Sequence, residues 1–280
     1  MKNSRIEWTE ATWNPLRGCT RASEGCRFCY AERVALRWSG KGQPYEGLVK
    51  PAKDGGHPRW TGEIMLVEKQ LNAPRKWKEG KLIFVNSMSD LFHEKVPREY
   101  IDRVFEVMRE TPQHTYQILT KRAFRLHKMS ALIEWPQNVW IGVSVEDDKV
   151  TDRIAKLQRT GGKVKFLSLE PLIGPIDSVT DRGRFRKDVS YNHDYLRDID
   201  WVIVGGESGD KARIMETEWA EQLVDACRDA EVPVFVKQMG TAWSKQYGDG
   251  SFKGDDIESF PESLRIREYP ARDNQQLTFA

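Results

Sequence analysis

The chain has 280 residues, with 44 Lys and Arg against 42 Asp and Glu for a formal net charge of +2, and a 39% apolar content that includes ten tryptophans. That length and content suffice to bury a core without disulfides and argue against a wholly disordered chain, while the absence of any apolar run near the ~20 residues of a membrane span argues against an integral helical membrane protein. The charge is uneven, since residues 1–80 carry 15 basic and 9 acidic side chains; such a bias suits either a phosphate-bearing partner or a plain solvated face.

The opening MKNSRIEWTE has no apolar stretch behind its basic residues, so no secretory signal is expected and the cytoplasm is the expected compartment. A strand is expected from Ala11 to Leu16, then a cysteine-bearing loop. Apolar residues at 31, 34, 35 and 38 predict a helix after Cys29, with Trp38 on the face of Ala31 and Val34. The Gly- and Pro-rich stretch 40–62 reads as a loop insertion beside that helix.

Nearly continuous apolar runs then recur at 81–90, 115–122, 139–147, 164–171, 201–209 and 232–240, as expected of parallel strands covered on both faces. Helical stretches alternate with them: Arg98 to Glu110 with Pro97 at its first position, Ala123 to Ile133, Thr151 to Arg159, and Thr217 to Ala230 with Thr217 as N-cap. About seven βα repeats result, so the expected fold is α/β, a partial or full (β/α) barrel over 1–240, with chemistry at the C-terminal strand ends. Residues 178–200 are charged and read as a lid. Residues 241–280 read as a C-terminal extension packed on the barrel, a hairpin with a frayed end.

Three of the four cysteines, Cys19, Cys26 and Cys29, fall within eleven residues; Cys227 stands alone on an amphipathic pattern and reads as core. A secreted scaffold spreads its cysteines in even number, so the cluster points to metal. A zinc site takes four ligands, commonly as two close pairs. Here the spacing is C-x6-C-x2-C with no second pair, and His57 is the nearest downstream histidine. Three thiolates suit a [4Fe–4S] cluster whose fourth iron stays open to chelate S-adenosylmethionine, with zinc and a metal-free thiol cluster as alternatives.

The segments WNPLRGC, FVNSMSDLFH, LTKR, IGVSVE, FLSLEPLIG, WVIVGGESG, FVKQMG and LRIREYP, spanning about residues 8–270, resemble a bacterial and phage family of three-cysteine-motif, radical-SAM-like proteins. The resemblance implies a radical-SAM barrel in which a reductively generated 5′-deoxyadenosyl radical attacks a substrate, with an electron donor of the reductase or flavodoxin-like kind. It also implies roles for individual residues. Phe28 would pack beside the adenine. SMSD stands where such enzymes commonly carry Gly-Gly-Glu, so Ser87, Ser89 and Asp90 become the acceptors for the methionine ammonium. Ser144, Glu146, Ser168, Glu170 and Glu207 would seat the ribose and carboxylate, and His93, Lys121, Arg122 and Lys237 would meet substrate.

Each of these residues also has a structural reading. Asp90 caps a turn, Glu170 before Pro171 faces solvent, Glu207 serves its own turn, His93 lies on the surface, and the three cations are rim charges. Phage association suggests a nucleic-acid or nucleotide substrate undergoing base modification or repair, and tryptophans beside cations (Trp38, Trp60, Trp77) have the character of base-stacking sites. The competing function class is a non-catalytic zinc or degenerate-cluster protein that binds nucleic acid or a partner. No membrane partner is expected.

Overall fold

The computed structural model describes residue 4 and residues 6–180, 194–248 and 250–271. Seven strands form one all-parallel sheet: β1 (Ala11–Trp13), β2 (Leu82–Val85), β3 (Thr115–Thr120), β4 (Val139–Ser144), β5 (Val164–Leu169), β6 (Trp201–Gly205) and β7 (Val234–Gln238). Their spatial order is their chain order, so every crossover steps one strand in the same direction and the sheet curls into a half-barrel with β1 and β7 as open edges.

Alternation along the strands decides what each face meets. Ile83, Val85, Ile118, Ile141, Val143, Val202 and Val204 point outward into one large core shared with the helices. Among these are α2 (Arg98–Glu110), α3 (Ala123–Ser130), α4 (Asp152–Gln158) and α5 (Thr217–Asp229). Cys227 lies fully buried there on α5 beside Leu223 and Val224, as its helical spacing predicts.

The inward residues form a second core of Trp8, Leu82, Phe84, Trp140, Val164, Phe166, Trp201, Ile203 and Phe235. This aromatic layer plugs the half-barrel toward its N-terminal end. Gly142 makes room for it, since a Cβ there would stand 2.6 Å from the Phe166 ring. Above it the inward positions turn polar: Ser144 and Ser168 lie in register on adjacent strands, and Glu146, Glu170 and Glu207 follow just past the strand ends.

The structure corrects several sequence expectations. The first strand breaks after Trp13, and Leu16–Arg17 pairs antiparallel with Met65–Leu66. α1 (Tyr30–Arg37) stops before Trp38, which is 55% exposed and off the buried face of Ala31 and Ala35. Stretch 40–62 is no free loop: Val49–Lys50 pairs with Arg59–Trp60, and Leu48, Val49 and Trp60 pack on α1. Thr217 is the first residue of α5 and Glu216 its N-cap, while Pro97 sits one position before α2. The segment beginning at Ala123 leaves helix at Ser130, short of Ile133.

The described part of 241–271 contains α6 (Thr241–Tyr247) and two 3-10 turns in place of a hairpin. The apolar stretch at its end pairs with the edge of β7 instead, with Val236 N–H donating to Ile266 O and Glu268 N–H to Val234 O. Tyr269 then stacks on Trp201 at 5.4 Å. Most of the expected lid, residues 181–193, lies outside the described residues, as do 272–280. Among the described residues no helix is long and apolar enough to cross a membrane.

Candidate functional site

The cysteine loop leaves β1, crosses the C-terminal mouth of the half-barrel and enters α1. It starts at Gly18, whose φ of +90° and whose carbonyl neighbour (Glu63 O, 2.1 Å from where a Cβ would sit) leave room only for glycine. Gly18 bridges in parallel to Ser89, and Ser89 Oγ donates to Leu16 O at 2.9 Å. A 3-10 turn over Glu24–Cys26 carries the loop past Glu146. Gly25 lies so close that a Cβ would stand 2.3 Å from Glu146 Cγ.

Three carboxylates fasten this loop. Glu146, 1% exposed, takes Lys121 Nζ at 2.7 Å and Arg153 Nη1 at 3.1 Å, and accepts from Ser23 Oγ at 2.9 Å. Burial works against its charge, yet Lys121 and Arg153, with hydrogen bonds from Lys121 and Ser23, hold the carboxyl below its ordinary range. Glu207 receives Arg213 through both Nε (2.9 Å) and Nη2 (2.6 Å), and Arg213 also donates to Glu24 O. Glu32, fully buried on α1, takes Arg21 at 3.1 and 2.7 Å, clasping the two ends of the loop.

Two further contacts surround Cys29. His57 Nε2 lies 3.0 Å from Cys29 O and 3.3 Å from Glu32 Oε2, while Arg33 Nε donates to its Nδ1. Burial lowers the His57 pKa, which favours the neutral ring with Nε2–H as donor and Nδ1 as acceptor. Phe28 packs edge-on to His57 at 5.7 Å, with the guanidinium groups of Arg27 and Arg213 5.4 and 5.5 Å from its ring centre.

All three loop cysteines are free and half-buried. Burial is the main cause that raises the Cys19 thiol well above its usual pKa, with Asp90 and the other two thiols adding to it. Burial and Cys26 push Cys29 up to about 11. Among the described residues no three His, Cys, Asp or Glu side chains form a group that could hold a metal ion. Three thiols on one loop are the donor type that iron–sulfur clusters take.

Ser87, Ser89 and Asp90 are engaged within the protein. Ser87 Oγ meets Asn14 Oδ1 at 3.2 Å, and Asp90 accepts from Thr120 Oγ1, Lys121 N–H and Phe92 N–H, so its capping reading accounts for these bonds. Ser144 and Ser168 face the interior. Glu170 does not face solvent freely: Lys237 Nζ pairs with it at 2.5 Å across the mouth.

His93 is buried, not on the surface, because Leu91 and Phe92 beside it enter the core. Its Nε2 lies 2.9 Å from Thr20 Oγ1, and Arg122 donates to the Thr20 carbonyl and hydroxyl. The three cations are therefore paired groups and not rim charges. Trp60 and Trp77 pack against Tyr45 and His114, leaving only Trp38 of the three expected tryptophans open.

Sequence reading missed Arg21, Glu32, Arg153 and Arg213. Arg213 reaches Glu24 across 189 positions, whereas Arg21 meets Glu32 eleven residues on and Arg153 meets Glu146 seven residues back, and no local spacing marks any of them.

Fold and site together define an α/β half-barrel protein with a three-cysteine loop lashed across its C-terminal mouth. The chain belongs to the family described as "Protein of unknown function (DUF5131)", whose model matches residues 3–271. No curated protein and no solved structure matches it.

Proposed function

We propose that the protein is a radical-SAM enzyme whose Cys19, Cys26 and Cys29 would hold a [4Fe–4S] cluster, acting on a nucleic-acid-related substrate. The observation that carries this reading is the position of three free thiols on one loop at the C-terminal mouth of a parallel half-barrel, where such folds place their chemistry. When bound, the cluster would supply an open iron for S-adenosylmethionine and the electron that cleaves it.

The chain's own residues do the rest. The Glu146, Glu207 and Glu32 ion pairs fix the loop before any ligand arrives, which lowers the cost of ordering it. Ser144 and Ser168, in register on β4 and β5, offer hydroxyls to a ligand seated in the mouth. The aromatic plug below closes the half-barrel to water from its N-terminal end.

Anaerobic reconstitution with iron and sulfide, followed by assay of 5′-deoxyadenosine under a strong reductant, tests the proposal. We expect about four irons per chain, release of 5′-deoxyadenosine, and loss of both in Cys26→Ala. One zinc per chain without iron, or no 5′-deoxyadenosine beyond the Cys26→Ala level, overturns it in favour of a non-catalytic metal protein.

A further inference from the structure

Next to the cysteine loop, α3 and α4 flank an open groove of about 650 Å³ whose remaining wall includes Thr20, Arg21 and Ala22. Among the described residues seven cationic and two acidic side chains line it. Four carboxylates answer the cations: Glu32 pairs with Arg21, Glu146 with both Lys121 and Arg153, Glu94 with Arg122, and Asp152 with Lys156. Three positive charges remain in excess.

Two of the cations have no carboxylate within ion-pair distance among the described residues. The Arg125 guanidinium donates to the carbonyls of His93 and Val96, which fixes its position without neutralising it. The Lys128 ammonium stands 4.5 Å from the centre of the Phe124 ring. Phe124 lies in the first turn of α3 and is 59% exposed, although the rest of that helix buries its apolar residues Ala123, Leu126 and Met129.

A flat ring held in the open beside unneutralised cations offers what a polynucleotide asks of a protein: a face for a base and counter-charge for its phosphates. A duplex keeps its base faces stacked inside, so the ring serves a single strand. We propose that this groove binds single-stranded nucleic acid, with Phe124 stacking on a base and Arg125 and Lys128 meeting adjacent phosphates, and that it brings the strand to the cysteine loop. The inference rests on the nucleic-acid-related substrate proposed above and gives that substrate its form. Glu94 and Asp152 at the groove repel phosphate and set the path toward Arg125 and Lys128.

Binding of labelled single-stranded DNA and RNA oligonucleotides of about 12 nucleotides, a length within the span of single-strand sites, is measured by fluorescence anisotropy on the full chain, with a duplex of the same sequence and inorganic polyphosphate as competitors. A single strand is expected to bind more tightly than either competitor, and the DNA and RNA arms show which sugar is preferred. Phe124→Ala should weaken binding about tenfold, the scale of one base stack, with the salt dependence unchanged. Lys128→Gln should lower the salt slope by about one. Both side chains are exposed, and the melting temperature of each variant checks its fold. Equal binding of duplex or polyphosphate, no binding at all, or an unaltered affinity in Phe124→Ala overturns the proposal. The assay needs neither iron nor S-adenosylmethionine, so its failure leaves the metal and 5′-deoxyadenosine measurements standing, and theirs leaves it standing.

Discussion

Ser23 Oγ donates to Glu146 Oε1 at 2.9 Å, joining residues 123 positions apart and fastening the cysteine loop to the end of β4. The same carboxylate is the shared counter-charge of Lys121 and Arg153. Glu146→Gln keeps the shape and removes the charge, leaving two largely buried cations facing each other. Breaking such a pair from one side costs about 3–5 kcal/mol, so urea unfolding should show a loss of that order. Adding Arg153→Met to Glu146→Gln should recover part of it; a Glu146→Gln protein as stable as the parent would mean that the ion pairs hold nothing.

Gly25 tests the same joint from the loop side. An alanine Cβ would stand 2.3 Å from Glu146 Cγ and 2.6 Å from its carboxyl group, and that side chain is held by three donors, so the loop must yield. Gly25→Ala should therefore expose Cys26 and raise the rate at which the loop thiols react with a disulfide reagent, with little change in global stability. Unaltered labelling kinetics would show that Glu146 swings aside instead.

The two variants probe contacts of a kind that the linear sequence conceals. Six of the seven strands were legible because parallel strands buried on both faces are written as apolar runs, whereas β1 is a three-residue strand with Thr12 exposed, and the cysteine loop was legible because three cysteines lie within eleven residues. The clamps were not legible: Arg213 reaches Glu24 across 189 positions, and Arg153 looks like any basic residue in the first turn of a helix. His57 has no metal-ligand residue type beside it in GGHPRW, and the Val49–Lys50 and Arg59–Trp60 ribbon brings it to Cys29. Among aromatics beside cations the sequence favoured tryptophan, whereas the ring open to a groove is Phe124, which directly precedes Arg125 and has Lys128 one helical turn away over its ring.

His114 carries a pH dependence remote from the site. It is fully buried against Trp77 and Tyr116, its Nε2 faces Pro74 O at 3.2 Å, and burial lowers its pKa from 6.5. Above that value both folded and unfolded chains hold the ring neutral, so no stability is linked to protons. Below it the unfolded chain takes a proton that the folded chain refuses, and stability falls until the lower folded value is reached. His114→Asn should be less stable than the parent at pH 7.5, and the gap should narrow as pH falls through 6 to 5. A gap independent of pH would show that His114 does not contribute to acid unfolding.

Inside the half-barrel the limiting quantity is space. Gly142 on β4 lies directly across from Phe166 on β5, and the Phe166 ring fills the volume that any side chain at 142 would need, with three ring atoms at 2.6–2.7 Å from the position of a Cβ. The ring has little freedom to retreat, because Trp8 and Trp201 pack around it at 6.4 and 5.8 Å between centres. Gly142→Ala should then overpack the plug and lower stability by about 1–3 kcal/mol, a shift that thermal or urea unfolding resolves. The loop clamps attach above this layer, so thiol reactivity should stay at the parental rate while stability drops. Phe166→Leu leaves a gap of its own, but combined with Gly142→Ala it removes the overlap, and the double variant should be more stable than the sum of the single losses. Strict additivity of the two would mean that the ring moves away without cost and that Gly142 is not what lets the aromatic plug form.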